Sequence, residues 1–156
     1  MRKKQNGFSL IELLIVVAII LIIAAIAIPN LLRSKMAANE TSAVASLRTL
    51  NTAFIMYSTI YGGYPTALTN VGPGTPATSA AADLIDSVLA SGNKSGYCFL
   101  YVAGQSDSSG NVLSYGVTAF PLSLGTTGQR GFFTDQSGVI RVDTAETATN
   151  ASTPLS

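Results

Sequence analysis

The chain has 156 residues, of which 47% are apolar and only 11% charged, too few charges for an ordinary soluble domain. It has no histidine and one cysteine, Cys98, which excludes an internal disulfide, a Ser-His-Asp or Cys-His catalytic site and a zinc centre of the His/Cys kind. Net charge is +1, but Arg2, Lys3 and Lys4 hold three of the nine basic residues, so the remainder is weakly acidic, unlike a nucleic-acid binder.

The basic cluster precedes a long apolar run. Leu10 to Ile28 is interrupted only by Glu12, and no charge occurs from Leu13 to Leu32. About 20 apolar residues cross a bilayer as a helix, and Lys and Arg at the N-terminal side hold that end in the cytoplasm. From Phe8 to Tyr61 there is no glycine and a single proline, Pro29, so one continuous helix is expected. Its second part changes character. Val44, Leu47, Leu50, Phe54, Tyr57 and Tyr61 recur every three or four residues, the spacing of a helix with one apolar stripe. The first part, 8–32, suits lipid or a helix bundle. The second, 33–61, suits packing on a domain, and Gly62-Gly63-Tyr64-Pro65 ends it.

Glu12 is out of place in a plain anchor. A carboxylate at the centre of a membrane helix costs about 2.5–3.5 kcal/mol, less near an interface. A cut between Gly7 and Phe8 would create an α-amino group one turn before Glu12, a cation able to offset that cost within one chain or between neighbours. Two simpler readings compete. Ala25-Ile26-Ala27 matches a secretory cleavage site, but Glu12 would break the apolar segment. A monomeric signal anchor explains the span but neither Gly7-Phe8 nor Glu12.

The stretch Lys3-Lys4-Gln5-Asn6-Gly7 followed by Phe8-Ser9-Leu10-Ile11-Glu12 and the apolar run resembles the prepilin signal of type IV pilins, shared with type II secretion pseudopilins. The resemblance is close over residues 1 to about 35 and looser in layout beyond. It implies cleavage after Gly7 by a prepilin peptidase and N-methylation of Phe8. It implies that Glu12 neutralises the N-terminus of a neighbouring subunit during assembly, and that Pro29 is the family's helix proline. Physically, Pro29 removes one backbone hydrogen bond and crowds the carbonyl of Ala25, so a kink or local melting is expected.

Loop chemistry fills Gly62 to Ser79, with Pro65, Pro73 and Pro76. A short helix is expected next, capped by Ser79, with Leu84, Ile85, Val88 and Leu89 on its apolar face and Gly92 at its end. Tyr97–Val102 reads as a strand and Cys98 within it as a small core residue. Ser106–Asn111 reads as a turn. Leu113, Tyr115, Val117 and Ala119 alternate as a half-buried strand, closed by Pro121. Phe132–Thr134 and Val139–Val142 flank the turn Asp135–Gly138. Residues 143–156 offer little to bury and are expected to form a flexible tail.

The expected fold is α+β and type IV pilin-like: a long N-terminal helical spine packed on a small antiparallel sheet of three or four strands. The expected layout is a leader at 1–7, a helix at 8–61, a globular head at 62–142 and the tail. No catalytic site or cofactor is expected. A Ser-Lys dyad using Lys35 or Lys94 is formally available, and Asp135 and Asp143 could contribute to a calcium site, but the turn reading is preferred. Phe8, Phe54, Tyr57 and Tyr61 read as packing residues before an electron relay. The Asn39, Asn93 and Asn150 sequons are chance matches in a chain rich in Ser and Thr.

The resemblance implies a structural subunit, not an enzyme. It would be held in the inner membrane by one helix with the N-terminus cytoplasmic, then built by the pilus assembly machinery into a homopolymeric extracellular pilus for adhesion or twitching motility. The alternative is a type II secretion pseudopilin forming a periplasmic pseudopilus. A DNA-uptake or adhesive module would need an exposed basic or aromatic patch that the sequence does not display.

Overall fold

The computed structural model of the protein describes residues 8–144 and 147–155. The expected leader, including Gly7, lies outside the described residues. The chain divides into two compact units, one ending at Lys35 and one running Met36–Ser156. Helix α1, Leu10–Tyr61, is 52 residues long. No glycine interrupts it, and it runs on through Pro29. It stops at Gly62, whose φ of +83° is a left-handed conformation open to glycine, with the Gly62 amide bonded to the Ser58 carbonyl at 2.9 Å.

In the first unit, every described residue is exposed except the half-exposed Ala24. The segment is long and apolar enough to cross a membrane.

The second unit is a two-layer structure in which residues 36–61 of α1 pack on one face of a sheet. The strands are β1 (Asn93–Lys94), β2 (Tyr97–Ala103), β3 (Tyr115–Pro121), β4 (Gly131–Asp135), β5 (Arg141–Asp143) and β6 (Thr153–Pro154). They follow chain order, each antiparallel to the next. The helical stripe read from the sequence faces the sheet. Leu47, Leu50, Phe54 and Tyr57 are buried, and Val44 and Tyr61 pack at its margins. They meet Tyr97, Phe99, Tyr115, Val117, Ala119 and Phe132 from the sheet. Phe54 sits edge-on to Tyr115, ring centroids 4.8 Å apart, and tilted on Tyr101 at 5.2 Å. Burying one such Leu or Phe stabilises by roughly 1.5–3 kcal/mol.

One polar network crosses this core. Asn51 Nδ2 donates to Thr134 Oγ1 at 2.9 Å, and the Tyr115 hydroxyl donates to Asn51 Oδ1 at 3.1 Å. Asn51 and Thr134 are both buried, so their polar atoms rely on partners inside the core.

Several elements differ from the sequence expectation. The sheet has six strands. The two added ones, β1 and β6, are two residues each, too short for alternation to register. The short helix, α2, is only Ser87–Ala90, capped by Asp86, whose side chain accepts from the Leu89 amide at 2.9 Å. Residues 82–84 bond elsewhere: the amides of Ala82, Asp83 and Leu84 donate to the carbonyls of Asn70, Gly72 and Val71. Asp83 has a φ of +53°, which interrupts any helix through it. Ser79, the expected cap, instead offers its carbonyl to the Tyr57 hydroxyl at 2.6 Å.

Cys98 is half-buried and not a core residue. Strand alternation puts its neighbours Tyr97 and Phe99 on the helix-facing side and Cys98 on the other. Leu113 lies before β3 and is exposed, and its amide bonds to the Gln105 carbonyl outside the ladder. In the expected tail, β6 pairs with β5, Ala148 is buried, and the Leu155 amide donates to the Ile140 carbonyl at 2.8 Å. These ties are mostly backbone hydrogen bonds, which need no apolar side chains. Asp135 belongs to its turn: its carboxylate accepts from the Ser137 amide at 2.9 Å, and the Gly138 amide closes on the Asp135 carbonyl.

The tyrosines carry a pH dependence. Burial, reinforced by Glu40, pushes the Tyr97 phenol up to about 12, and burial with neighbouring tyrosines raises Tyr101. Burial raises Tyr115 too, with Tyr64 and Asp135 adding to it. A folded-state value above the ordinary one near 10 means the unfolded chain loses these protons first. The contribution is complete below pH ~10 and is lost as pH climbs through the folded values. Urea unfolding of the second unit should therefore hold a steady midpoint from pH 7 to 9 and fall progressively above pH ~10. A Tyr97→Phe variant should show a shallower fall.

Candidate assembly segment

Glu12 is the first charged residue of α1, three positions after Ser9. Its Oε2 accepts the Ser9 backbone N–H at 2.9 Å, and the Leu13 amide bonds back to the Ser9 carbonyl at 3.2 Å. Ser9 thus stands where a helix cap stands, and Glu12 reaches back from the third helical position to satisfy an amide that the helix leaves without a partner. The Ser-x-x-Glu spacing of a capping box was the available sequence signal for this contact. A carboxylate there also faces the positive end of the helix dipole.

Around it the surface is apolar. Phe8 is 83% exposed, Leu10 77% and Ile11 64%, so the carboxylate is bordered by side chains with no counter-charge of their own. Phe8 immediately precedes the Ser9 amide that Glu12 already holds. A cation at the Phe8 nitrogen would lie within one helical turn of the carboxylate. The apolar surround would strengthen the attraction by displacing water. Pro29 lies further along the same apolar segment, within unbroken helix.

A second carboxylate on α1, missed in the sequence, organises the other unit. Glu40 is buried, and its Oε2 accepts from Arg130 Nε at 2.8 Å and Nη2 at 2.7 Å. Its Oε1 accepts the Gln129 amide at 2.9 Å. Beside it, Asn39 Nδ2 donates to the Thr127 carbonyl at 2.8 Å. These bonds fasten the β3–β4 loop to the helix. Ninety positions separate Glu40 from Arg130, so no local pattern pairs them. The Arg130 guanidinium also lies over the Phe132 ring at 5.6 Å, and the Arg130 carbonyl takes the Tyr97 hydroxyl.

Residues 2–28 match the family model described as the prokaryotic N-terminal methylation motif. The N-terminal segment is thus similar to those of type IV pilins and of type II secretion core proteins G. The chain is 35% identical to the type II secretion system core protein G of Escherichia coli over 94 residues, 60% of this chain and 61% of that protein. It is 56% identical over 45 residues to the type IV wide pilus major component of Thermus thermophilus, 29% of this chain and 34% of that one. It is 50% identical over 50 residues to the type IV major pilin of Myxococcus xanthus, 32% of this chain and 23% of that one. The chain spans about half the length of the type II secretion relatives it matches. With the long helix and antiparallel sheet, the fold is pilin-like and α+β.

The helix-to-sheet packing of the second unit includes the Glu40–Arg130 ion pair. In a Glu40→Ala chain the Gln129 amide and the Arg130 guanidinium lose their acceptor. Arg130 is partly solvated, so the expected loss of stability is about 1–3 kcal/mol, read from the urea midpoint. Faster amide exchange should appear at Gln129, leaving β2 unaffected.

Proposed function

We propose that this chain is a type IV pilin: a structural subunit processed between Gly7 and Phe8, methylated on the new Phe8 nitrogen, and polymerised through its apolar helix. The observation that carries this reading is the carboxylate of Glu12, alone of its kind in residues 8–35 and beside the expected cut, in a segment whose apolar side chains are exposed all round. In one isolated chain such a surface is stable only in lipid or against other helices. Before assembly, lipid covers it, with the N-terminus cytoplasmic and the head outside the inner membrane. In the filament, copies of the same helix cover it.

Leaving lipid for a helix bundle removes little water, so the usual hydrophobic gain is small. Specificity comes from packing and from the Glu12 carboxylate meeting the Phe8 amine of the next subunit, which sets axial register. Pro29 supplies a point at which the helix can adjust as subunits pack. The partners on this reading are prepilin peptidase, the assembly machinery of the inner membrane and further copies of the chain. The product is an extracellular fibre of the kind used in adhesion and twitching.

A second reading, a pseudopilin of type II secretion, is favoured by the length of the match to the Escherichia coli core protein G. The N-terminal segment serves both. Calcium separates them: the pilin reading expects calcium to leave the melting temperature of the second unit unchanged, with Asp135 engaged by its own turn. A rise in melting temperature on adding calcium would favour the pseudopilin.

Two further measurements address processing and register. The intact mass of native material should lack residues 1–7 and carry one extra methyl group on Phe8. Material beginning at Met1 or at Ile28 would refute the filament reading. Glu12→Ala subunits should accumulate in the membrane at normal levels while the yield of sheared fibres falls at least tenfold. Fibres at wild-type yield would remove Glu12 from assembly.

A further inference from the structure

Strand β3 runs against the helix of its own unit. At its start, Tyr115 meets Asn51 and Phe54. The seven residues of the strand cover roughly 20 Å. Just past its end, the Leu122 amide donates to the Gly96 carbonyl. The loop that follows is bonded to the first turns after Met36: the Thr127 carbonyl accepts from Asn39, and the Gln129 amide donates to Glu40. The β3–β4 loop therefore lies at the end of the second unit where the chain enters it.

This loop has the makeup of a segment that enters a lipid surface. Leu122 and Leu124 are 58% and 54% exposed. No residue from 122 to 129 is charged. The main cost of entering lipid falls on backbone groups that lack a partner, and here most amides have one. The Ser123 amide donates to Thr127 Oγ1 at 3.1 Å, and the Gly125 amide to the Gly128 carbonyl at 2.9 Å. The Thr126 and Thr127 amides both close on the Ser123 carbonyl, at 3.1 and 2.9 Å.

We propose that the β3–β4 loop is a second, shallow membrane contact, with Leu122 and Leu124 entering the lipid surface on the head's side before assembly. The inference rests on the membrane-anchored stage of the filament reading. The occupant follows from the tether. Seven residues of α1 join Leu32, the last of the uncharged run, to Asn39, about 10 Å as helix. The headgroup layer on each side of the hydrocarbon is about 5–7 Å thick. A loop bonded to Asn39 and Glu40 is thus held beside the lipid surface whenever residues 13–32 span it. Two leucines alone would bind a membrane weakly. Joined to a spanning helix, they meet it within one molecule, where effective concentration takes the place of affinity. The contact is given up as the subunit enters the fibre.

The experiment uses the full chain with Cys98→Ser, at low protein-to-lipid ratio in phosphatidylethanolamine–phosphatidylglycerol vesicles. Part of the lipid carries a nitroxide near the headgroup end of its acyl chain. A polarity-sensitive fluorophore is attached in turn at Thr126→Cys in the loop, Ser108→Cys and Ala18→Cys. Ser108 lies in the turn beside Val112, whose carbonyl takes the Tyr64 amide past the far end of α1. The Thr126 label should be blue-shifted and quenched by the nitroxide lipid, the Ser108 label neither, and the Ala18 label quenched within the span. Adding Leu122→Ser/Leu124→Ser should reduce quenching at Thr126 to the Ser108 level. Both leucines are exposed, so the melting temperature of the second unit should stay unchanged and serves as the folding control. A Thr126 label that matches the Ser108 label, or quenching that survives the double substitution, would overturn this inference. So would a blue shift without quenching, which assigns the loop to a protein neighbour. In each case a quenched Ala18 label leaves the membrane-anchored reading standing. An unquenched Ala18 label would overturn both.

Discussion

The second unit is held together by the burial of one helical stripe against one face of one sheet. Leu47, Leu50 and Phe54 are fully buried, and the residues they meet come from three adjacent strands, β2, β3 and β4. Neither layer could keep its apolar face dry alone. Within that contact the Asn51–Thr134–Tyr115 network is anchored to both layers, so a shift in helix register would leave buried polar groups without partners. The Glu40–Arg130 pair and the Asn39–Thr127 bond add a second anchor about three turns earlier on the helix.

With the helix committed to one side of the sheet, the other side is open, and this is where the unit departs from a solvated antiparallel design. Leu100, Val102 and Phe133 sit on that side with Asp135, Arg141 and Asp143. The first unit has no such division, because its side chains are exposed in every direction. Glu12 is the one carboxylate among the described residues of that unit.

The local rules of the sequence carried far. Period and length of apolar residues located α1, and Gly62 marked its end. Asp135–Gly138 was legible as a turn because its chemistry is contained within four residues. The alternation of Tyr115, Val117 and Ala119 located the centre of β3. The same reasoning failed where the deciding partner was distant. Residues 82–84 were expected to begin a helix, but their amides bond to the segment around Val71. Cys98 was assigned to the core because its neighbours are apolar, whereas the face it occupies depends on which of two alternating sets meets α1.

What the sequence determined alone is the character of the N-terminal segment: a basic cluster, Gly7-Phe8, a lone Glu12 and an uninterrupted apolar helix. Each is a property of consecutive residues, and a helix satisfies its own backbone hydrogen bonds without waiting for the rest of the chain. Tertiary structure decided what lies opposite what. The pairing of Glu40 with Arg130, of Asn51 with Thr134, and of β5 with the last residues involves groups far apart in the chain. Their encounter depends on how layers and strands are placed in space, and no local pattern of residues encodes that placement.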